Sequence, residues 1–418
     1  MSARIAWTLG IVLGATVARA APVVSTAATG RLLYDTNLYL QDPAPLAPGQ
    51  TRPALPANEA DEAFDVLASV GFAWHPADGP SLELTYAPER VQYWHHDTED
   101  HTDHTLTLAG SGKAAGWTGT FSTRYLYTDG SNESPIFNGL GGAPAIGGEP
   151  VRARRAQAIS RASGQVSHPL GAGFVRGVFS VFNQQFHTVE RNVPGYVNYA
   201  DRDETSAGLD LGQPIAGSPL AFVVAGRAGF QRQANVLGVP LNYSNTFTRW
   251  LGGLEGSLGP TLKLAFLAGP EIHHYGDSVR SDYVREQRTT YAEGSCTWTP
   301  SRADTVTLTG KRYLWLPSGG RGAYAESVVD LTWKRKLSAQ WSGSVGANFH
   351  DGDTSHFKGP TARHDSIYTG NASLSRSFSH GNRVELGIMH DRGVTFVPDT
   401  PARNYTRWIE SVSVSHAW

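Results

Sequence analysis

The chain has 418 residues, of which 40% are hydrophobic, 17% charged and 10% aromatic, with 46 glycines and a formal net charge of −2. Charge so near neutral gives no positive field suited to gripping nucleic acid, and a lone cysteine, Cys296, admits neither an internal disulfide nor a multi-thiolate zinc site. Past the amino terminus no run of about eighteen apolar residues occurs, so no segment is expected to cross a membrane as a helix.

Residues 1–20 place Arg4 before an apolar stretch, Ile5 to Val17, and then Ala18-Arg19-Ala20. That order fits a secretory signal peptide cut after Ala20, and with no cysteine near the cut a lipid anchor is not expected. The exported part, 21–418, reads as one domain.

From there the dominant signal has a period of two. "FDVLASVGFAW" (64–74) sets Phe64, Val66, Ala68, Val70, Phe72 and Trp74 on one face and Asp65, Leu67, Ser69, Gly71 and Ala73 on the other. "WSGSVGANF" (341–349), "TLKLAFLAG" (261–269) and "RVELGIMHD" (383–391) behave alike. A strand separates such sets automatically, whereas a helix mixes them. In chain order the spacing predicts eighteen strands, near 29–40, 62–75, 81–93, 103–111, 116–128, 152–167, 172–185, 203–213, 219–232, 245–257, 261–275, 287–299, 303–315, 321–335, 338–350, 364–378, 382–392 and 404–418. Sixteen is the alternative count. Many reach ten residues or more, and a tilted strand needs roughly 9–11 to span a bilayer.

The links alternate. "PADGP", "HPLGA", "LGP" and "KL" are tight, whereas "QDPAPLAPGQTRPALPANEAD" (41–61) and "TDGSNESPIFNGLGGAPAIGGEP" (128–150) are long. A brief link near 316–320 is the exception. Short turns on one side and long loops on the other are the pattern of barrels in bacterial outer membranes. In lipid no water satisfies a strand edge, so such a sheet must close. Its apolar set would face acyl chains and its Ser, Thr, Gly and charged set the lumen. Trp74, Trp117, Tyr125, Tyr127, Trp298, Tyr313, Trp315 and Trp333, near strand ends, are expected in the interfacial girdles. Cys296, on the lipid-facing set, reads as an inert small hydrophobe. Glu410 falls among the valines of the last strand, which suggests an interface or a bulge there.

As a whole, 21–418 resembles bacterial outer-membrane β-barrels: all-β, transmembrane, antiparallel and up-and-down, with short periplasmic turns and long outer loops. The closing "SVSVSHAW", which ends on Trp418, resembles the terminal aromatic signature read by the barrel assembly machinery, although that signature more often ends in Phe and has an aromatic where His416 stands. "TGRLLYDTNLYL" (29–40) is similar to the Tyr-Asp-x-Asn opening strand of a porin-like family, the beta-barrel porin 2 group, some of whose members are associated with polysaccharide or capsule export. The resemblance implies an outer-membrane location. It also implies contacts with outer-membrane lipid and lipopolysaccharide, and a homo-oligomer of the kind porins form.

Barrels of about 16 to 18 strands leave an aqueous channel. The expected lumenal charges are Arg124, Arg161, Arg176, Arg227, Arg249 and Lys263 against Glu255, Glu271, Glu326, Asp330 and Glu385. Such a mixture suits small polar solutes better than a strong ion filter. In general porins the third outer loop narrows the lumen, and this chain resembles them in loop order. Its 128–150 loop carries Asp129, Glu133 and Glu149 ahead of Arg152, Arg154 and Arg155. Acids facing a basic wall would set up a transverse field, and the alternative is a solvated surface loop. "HHDTEDHTDH" (95–104) holds His95, His96, His101 and His104 among carboxylates, but the spacing matches no closed metal site and no metal is expected.

Enzymatic readings fail on the residues. "AGSGKA" (109–114) lacks the first glycine of a phosphate loop and falls in a hairpin, and no Gly-x-Ser-x-Gly elbow occurs. No enzyme activity and no cofactor are expected. The sequence thus reads as a passive channel for small hydrophilic solutes. Two other readings stand beside it: a non-conducting barrel in an envelope or exopolysaccharide export assembly, and a soluble carbohydrate-binding β-protein.

Overall fold

The period-two segments become eighteen strands in the computed structural model, which describes residues 21–38, 58–77, 79–129, 156–187, 201–234, 242–279, 283–316, 323–353, 364–396 and 404–418. In chain order they are β1 Val23–Asp35, β2 Asp61–Trp74, β3 Ser81–Tyr93, β4 His101–Ala114, β5 Trp117–Thr128 and β6 Gln157–Leu170. Next come β7 Gly173–Phe186, β8 Arg202–Pro214, β9 Leu220–Gln233, β10 Asn245–Leu258, β11 Leu262–Tyr275 and β12 Glu286–Trp298. The last six are β13 Asp304–Trp315, β14 Tyr324–Lys336, β15 Trp341–Asp353, β16 His364–Ser377, β17 Asn382–Phe396 and β18 Tyr405–Ala417. Each pairs antiparallel with its sequence neighbours, and β18 pairs with β1 from Ala27↔Ala417 to Asp35↔Ile409. The sheet is closed.

Strands of 12 to 15 residues exceed the roughly 9–11 needed to span a bilayer, so a few residues overhang at each end. The outward face is apolar, with Leu209, Trp250 and Val414 each more than half exposed, whereas inward Val223 and Asp35 are fully covered. Short-turn ends close tightly. Ala115 and Gly116 both take positive φ, 49° and 82°, as a two-residue turn matched to strand twist requires.

The seam between first and last strands is clasped by the opening motif. Asp35 accepts from Arg407 Nε at 2.8 Å and from its Nη2, and Asn37 Nδ2 donates to Thr406 O at 3.0 Å. Asp35 Oδ1 also accepts the Asn37 amide at 3.0 Å, turning the chain out of the wall. The strand expected at 29–40 therefore runs Val23–Asp35, because pairing with β2 reaches back to Val23↔Ala73 and the clasp ends it. At the other end Trp418 N donates to Thr26 O at 3.0 Å, while the exposed ring lies 4.4 Å from His416.

Three further expectations change. β4 starts at His101 and runs to Ala114, so the link before β5 shrinks to two residues and the last four residues of "HHDTEDHTDH" are strand. β6 is described from Gln157, and Arg152, Arg154 and Arg155 lie outside the described residues. No bulge accommodates Glu410: the ladders through Tyr34↔Glu410 and Ile388↔Glu410 are unbroken and leave an exposed carboxylate on the outward face. Cys296 is outward as expected, between Leu264 and Leu308.

Candidate functional site

Among the described residues one ladder of the wall stops well short of its strand ends. β11 and β12 pair up to His274↔Glu286, and β13 and β14 up to Trp315↔Tyr324, yet β12 and β13 part above Ala292↔Arg312. The long-loop end of the β13–β14 hairpin has left its neighbour. Its main chain is held elsewhere: Leu314 N donates to Glu271 Oε2 of β11 at 3.3 Å, and Leu314 O accepts from Gln231 Nε2 of β9 at 3.0 Å. Leu316 O accepts from Arg202 Nη1 of β8 at 2.7 Å. Trp315 packs on Phe182 of β7, ring centroids 4.9 Å apart. Six strand intervals separate β13 from β7, about 29 Å along the wall at about 4.8 Å each. Contact at that separation requires the hairpin to cut across the lumen.

The anchorage is mixed. The Arg202 guanidinium lies 4.7 Å from the Trp315 ring and 5.3 Å from Phe182, which also carries Arg161 at 5.2 Å. Arg202 further donates through Nε to Gln184 Oε1 at 2.7 Å. Leu314 and Leu316 would meet lipid in a straight strand. Here they join a buried cluster with Tyr243, Tyr275, Val279 and Tyr283, and the Tyr283 hydroxyl accepts from Ala323 N at 3.1 Å. Burying two leucines and a tryptophan contributes several kcal/mol, at roughly 1.5–3 kcal/mol for a large apolar side chain. Tyr313 and Trp315, expected in the girdle, are corrected to lumenal residues, since alternation from outward Val306 and Leu308 turns odd positions of β13 inward; Tyr313 donates its hydroxyl to Glu326. Trp74, Trp117, Tyr125, Tyr127, Trp298 and Trp333 do take outward positions.

Beneath the hairpin three of the six expected lumenal cations are already held in ion pairs. Arg176 binds Asp210 at 2.9 Å and Glu255 at 2.8 Å, Arg227 binds Glu293 at 2.6 Å, and buried Arg249 binds buried Glu271 at 2.7 Å. These networks stiffen the β7–β12 wall rather than face a solute. Arg124 differs. It is exposed to the lumen, it lies directly across the ladder from Arg161, and among the described residues it has no ion-pair partner. Like charges set opposite each other in a sheet are unfavourable, so an anion nearby would relieve them. On the same face, toward the short-turn end, a recess of about 410 Å³ is lined by Thr120, Ser122, Ser163, Gln165, Ser180 and Ser206, with Arg227 and Glu293 at its edge. On the other side of Arg124, β2–β4 present Asp65, Glu89 and Asp103, with Arg31 bridging Asp65 and Glu89. Lys263 is exposed near the short-turn end, and Asp330 accepts from Asn348. Glu385 is paired with Arg383.

The four histidines do not converge. His95 Nδ1 and His96 Nδ1 lie 2.9 and 2.8 Å from the two oxygens of Asp61, which also accepts both backbone amides. His101 points into the lumen beside Tyr93, whereas His104 faces outward against Tyr86, Nδ1 2.8 Å from its hydroxyl. Alternation places them on opposite sides of the wall. Atoms of Asp61, Glu62 and His95 that could ligate a metal do fall within 4.8 Å of one another, but the Asp61 carboxylate is already filled by donors from the β3–β4 link. That arrangement anchors residues 94–100. The hydrogen bond to Asp61 raises the His95 pKa above its ordinary value.

Of the expected loop acids, Asp129 is exposed and accepts from the Thr102 amide, while Glu133 and Glu149 lie outside the described residues. Sequence reasoning missed the lumenal anchor set of Leu314, Trp315, Leu316, Arg202 and Gln231. Two signals were available: the brief link near 316–320 that broke the alternation, and "YLWL" (313–316), which has no wet face.

A closed antiparallel sheet with a greasy outside and a charged inside is a membrane-spanning β-barrel of the bacterial outer-membrane type. No protein-family model matches the sequence, and no curated protein matches it. Among solved structures it is similar to the outer membrane protein OpdK of Pseudomonas aeruginosa at 9% identity and a TM-score of 0.40, covering 95% of this chain and 99% of that one. It is similar to OccK2 (OpdF) of the same organism at 10% identity and a TM-score of 0.42, over 94% and 98%. The siderophore receptor PirA of Acinetobacter baumannii gives 7% identity and a TM-score of 0.44, over 94% and 80%. The assignment of class rests on the barrel's own geometry.

Proposed function

We propose that this barrel is an outer-membrane channel for passive diffusion of small hydrophilic solutes, narrowed by its β13–β14 hairpin and favouring anions at Arg124 and Arg161. The observation that carries this reading is the asymmetric occlusion. The hairpin covers the β7–β12 side of the outer mouth, while the β14–β6 side keeps exposed charge and a hydroxyl-lined wall. Solute would pass Arg124 and Arg161, opposed by the acids of β2–β4, and descend along the serine and threonine recess. A transverse field of this kind orients dipolar solutes. Asp129, with Glu133 and Glu149, would add negative charge at the mouth.

Membership of the porin-like group with the Tyr-Asp-x-Asn opening belongs to the same reading, supported by the use of Asp35 and Asn37 as the seam clasp. Trp418 would be read by the assembly machinery, lipopolysaccharide would surround the outer rim, and copies would associate as porins do. The test is planar-bilayer recording of the purified, heat-modifiable protein. Discrete conductance steps with anion preference are expected, and Arg124→Gln with Arg161→Gln should move the reversal potential toward cations. A folded barrel that never conducts would overturn the channel in favour of a non-conducting part of an export assembly.

A further inference from the structure

On the outward face, at the short-turn end, two apolar grooves flank one rib. The rib consists of Trp333 and Arg335 of β14 with Val345 of β15, and all three line both grooves. One groove, about 400 Å³, passes over Gly343, Ala372 and Leu374 to Leu386 and Ile388 of β17. The other, about 530 Å³, passes over Leu331 and Val306 to Trp298 of β12. Small residues make the first groove deep: a Cβ built on Gly343 meets nothing nearer than 3.4 Å.

Both grooves run up to one cation. Arg335 is half exposed, and its nearest acid is Asp304 at 3.8 Å. Asp304 is occupied by other donors, Trp333 Nε1 at 3.0 Å and Ser301 Oγ at 2.7 Å. Among the described residues the Arg335 guanidinium therefore makes no hydrogen bond beyond that long ion pair, although it sits at the short-turn end of a wall otherwise built for acyl chains. A guanidinium with open donors is matched by a phosphate, which it can bind through two of them.

We infer that this surface is a specific site for a diacyl phospholipid of the periplasmic leaflet, its phosphate on Arg335 and one acyl chain in each groove. The inference rests on the membrane-barrel reading and its orientation, but not on conduction. Two grooves meeting at one cation fit two chains on one headgroup. A second copy of the wall would have to bridge the protruding Trp333, and lipid A belongs to the opposite leaflet.

The test is native mass spectrometry of the full chain released from detergent, with phosphatidylethanolamine or lipid A added as probe. One phospholipid per chain should persist in the wild type and lipid A should not. Occupancy should fall about tenfold or more in Arg335→Gln, as loss of a charge-assisted contact implies. It should also fall in Gly343→Leu, which fills a groove while its Cβ makes only an ordinary contact, 3.4 Å from Ser373 O. Arg232→Gln, an outward cation at the opposite end, should change nothing. Equal phospholipid retention in Arg335→Gln and Gly343→Leu would overturn the site, as would lipid A outcompeting phospholipid or a lipid-free dimer. Heat-dependent gel mobility of each variant separates these outcomes from collapse of the barrel itself.

Discussion

Trp315→Ala isolates the hairpin from the rest of the barrel. Trp315 is 9% exposed and packs on Phe182 and under Arg202, and its Nε1 has no hydrogen-bond partner among the described residues. Truncation therefore removes packing and leaves no new polar group stranded. A buried Trp→Ala change costs about 3–5 kcal/mol. The other anchors are the burial of Leu314 and Leu316 and three hydrogen bonds to their main chain, about 1 kcal/mol each, with the two to charged Glu271 and Arg202 worth more. Losing about 4 kcal/mol raises the ratio of released to docked hairpin about a thousandfold. The Trp315↔Tyr324 rung lies within the hairpin itself, so wall closure should survive. In single-channel records the variant should show bursts of larger conductance, with an unchanged temperature for its gel-mobility shift. A trace identical to wild type from a folded variant would refute the claim that the hairpin narrows the lumen.

Four further outcomes are expected. Arg124→Glu should reverse the charge preference of the channel while Arg176→Gln, whose partners are wall acids, should act on stability first; a matching shift from both would deny Arg124 its special place. Asp35→Asn strands Arg407 at the seam and should cost about 3–5 kcal/mol, read as a lower temperature for loss of the compact gel band. His95 should titrate above the ordinary imidazole value of about 6.5, and Asp61→Asn should bring it back. Because the folded value is raised, its contribution is complete below the unfolded value and fades as pH rises through the folded one, so amide protection over 94–100 should be greater near pH 5.5 than near pH 8. Gly269→Ala should fail to assemble, since a Cβ there would lie 2.0 Å from Trp250 O, whereas Gly370→Ala, with open space around it, should be neutral.

Periodicity along the chain determined the strand count, the closed wall and the outward or inward sense of most side chains. Those features follow from a local rule, because successive residues of a strand point to opposite faces and a membrane admits one sense only. Phe64 and Asp65, or Cys296 and Ser295, are sorted by parity without reference to any distant residue. Strand ends were less legible. Val23–Gly30 carries few bulky residues to mark a period, and it is strand because β2 and β18 lie on either side of it.

The narrowing of the lumen was decided by the tertiary structure alone. Leu314 and Leu316 look like any lipid-facing leucines at a strand end, and only the long-range contacts of 314–316 with β7, β8, β9 and β11 draw them off the wall. The same holds for the cations. Arg124 and Arg176 are indistinguishable by position in a strand, yet register places Asp210 beside one and Arg161 beside the other. Alternation tells a side chain which way to face, but pairing across the barrel determines what it meets there.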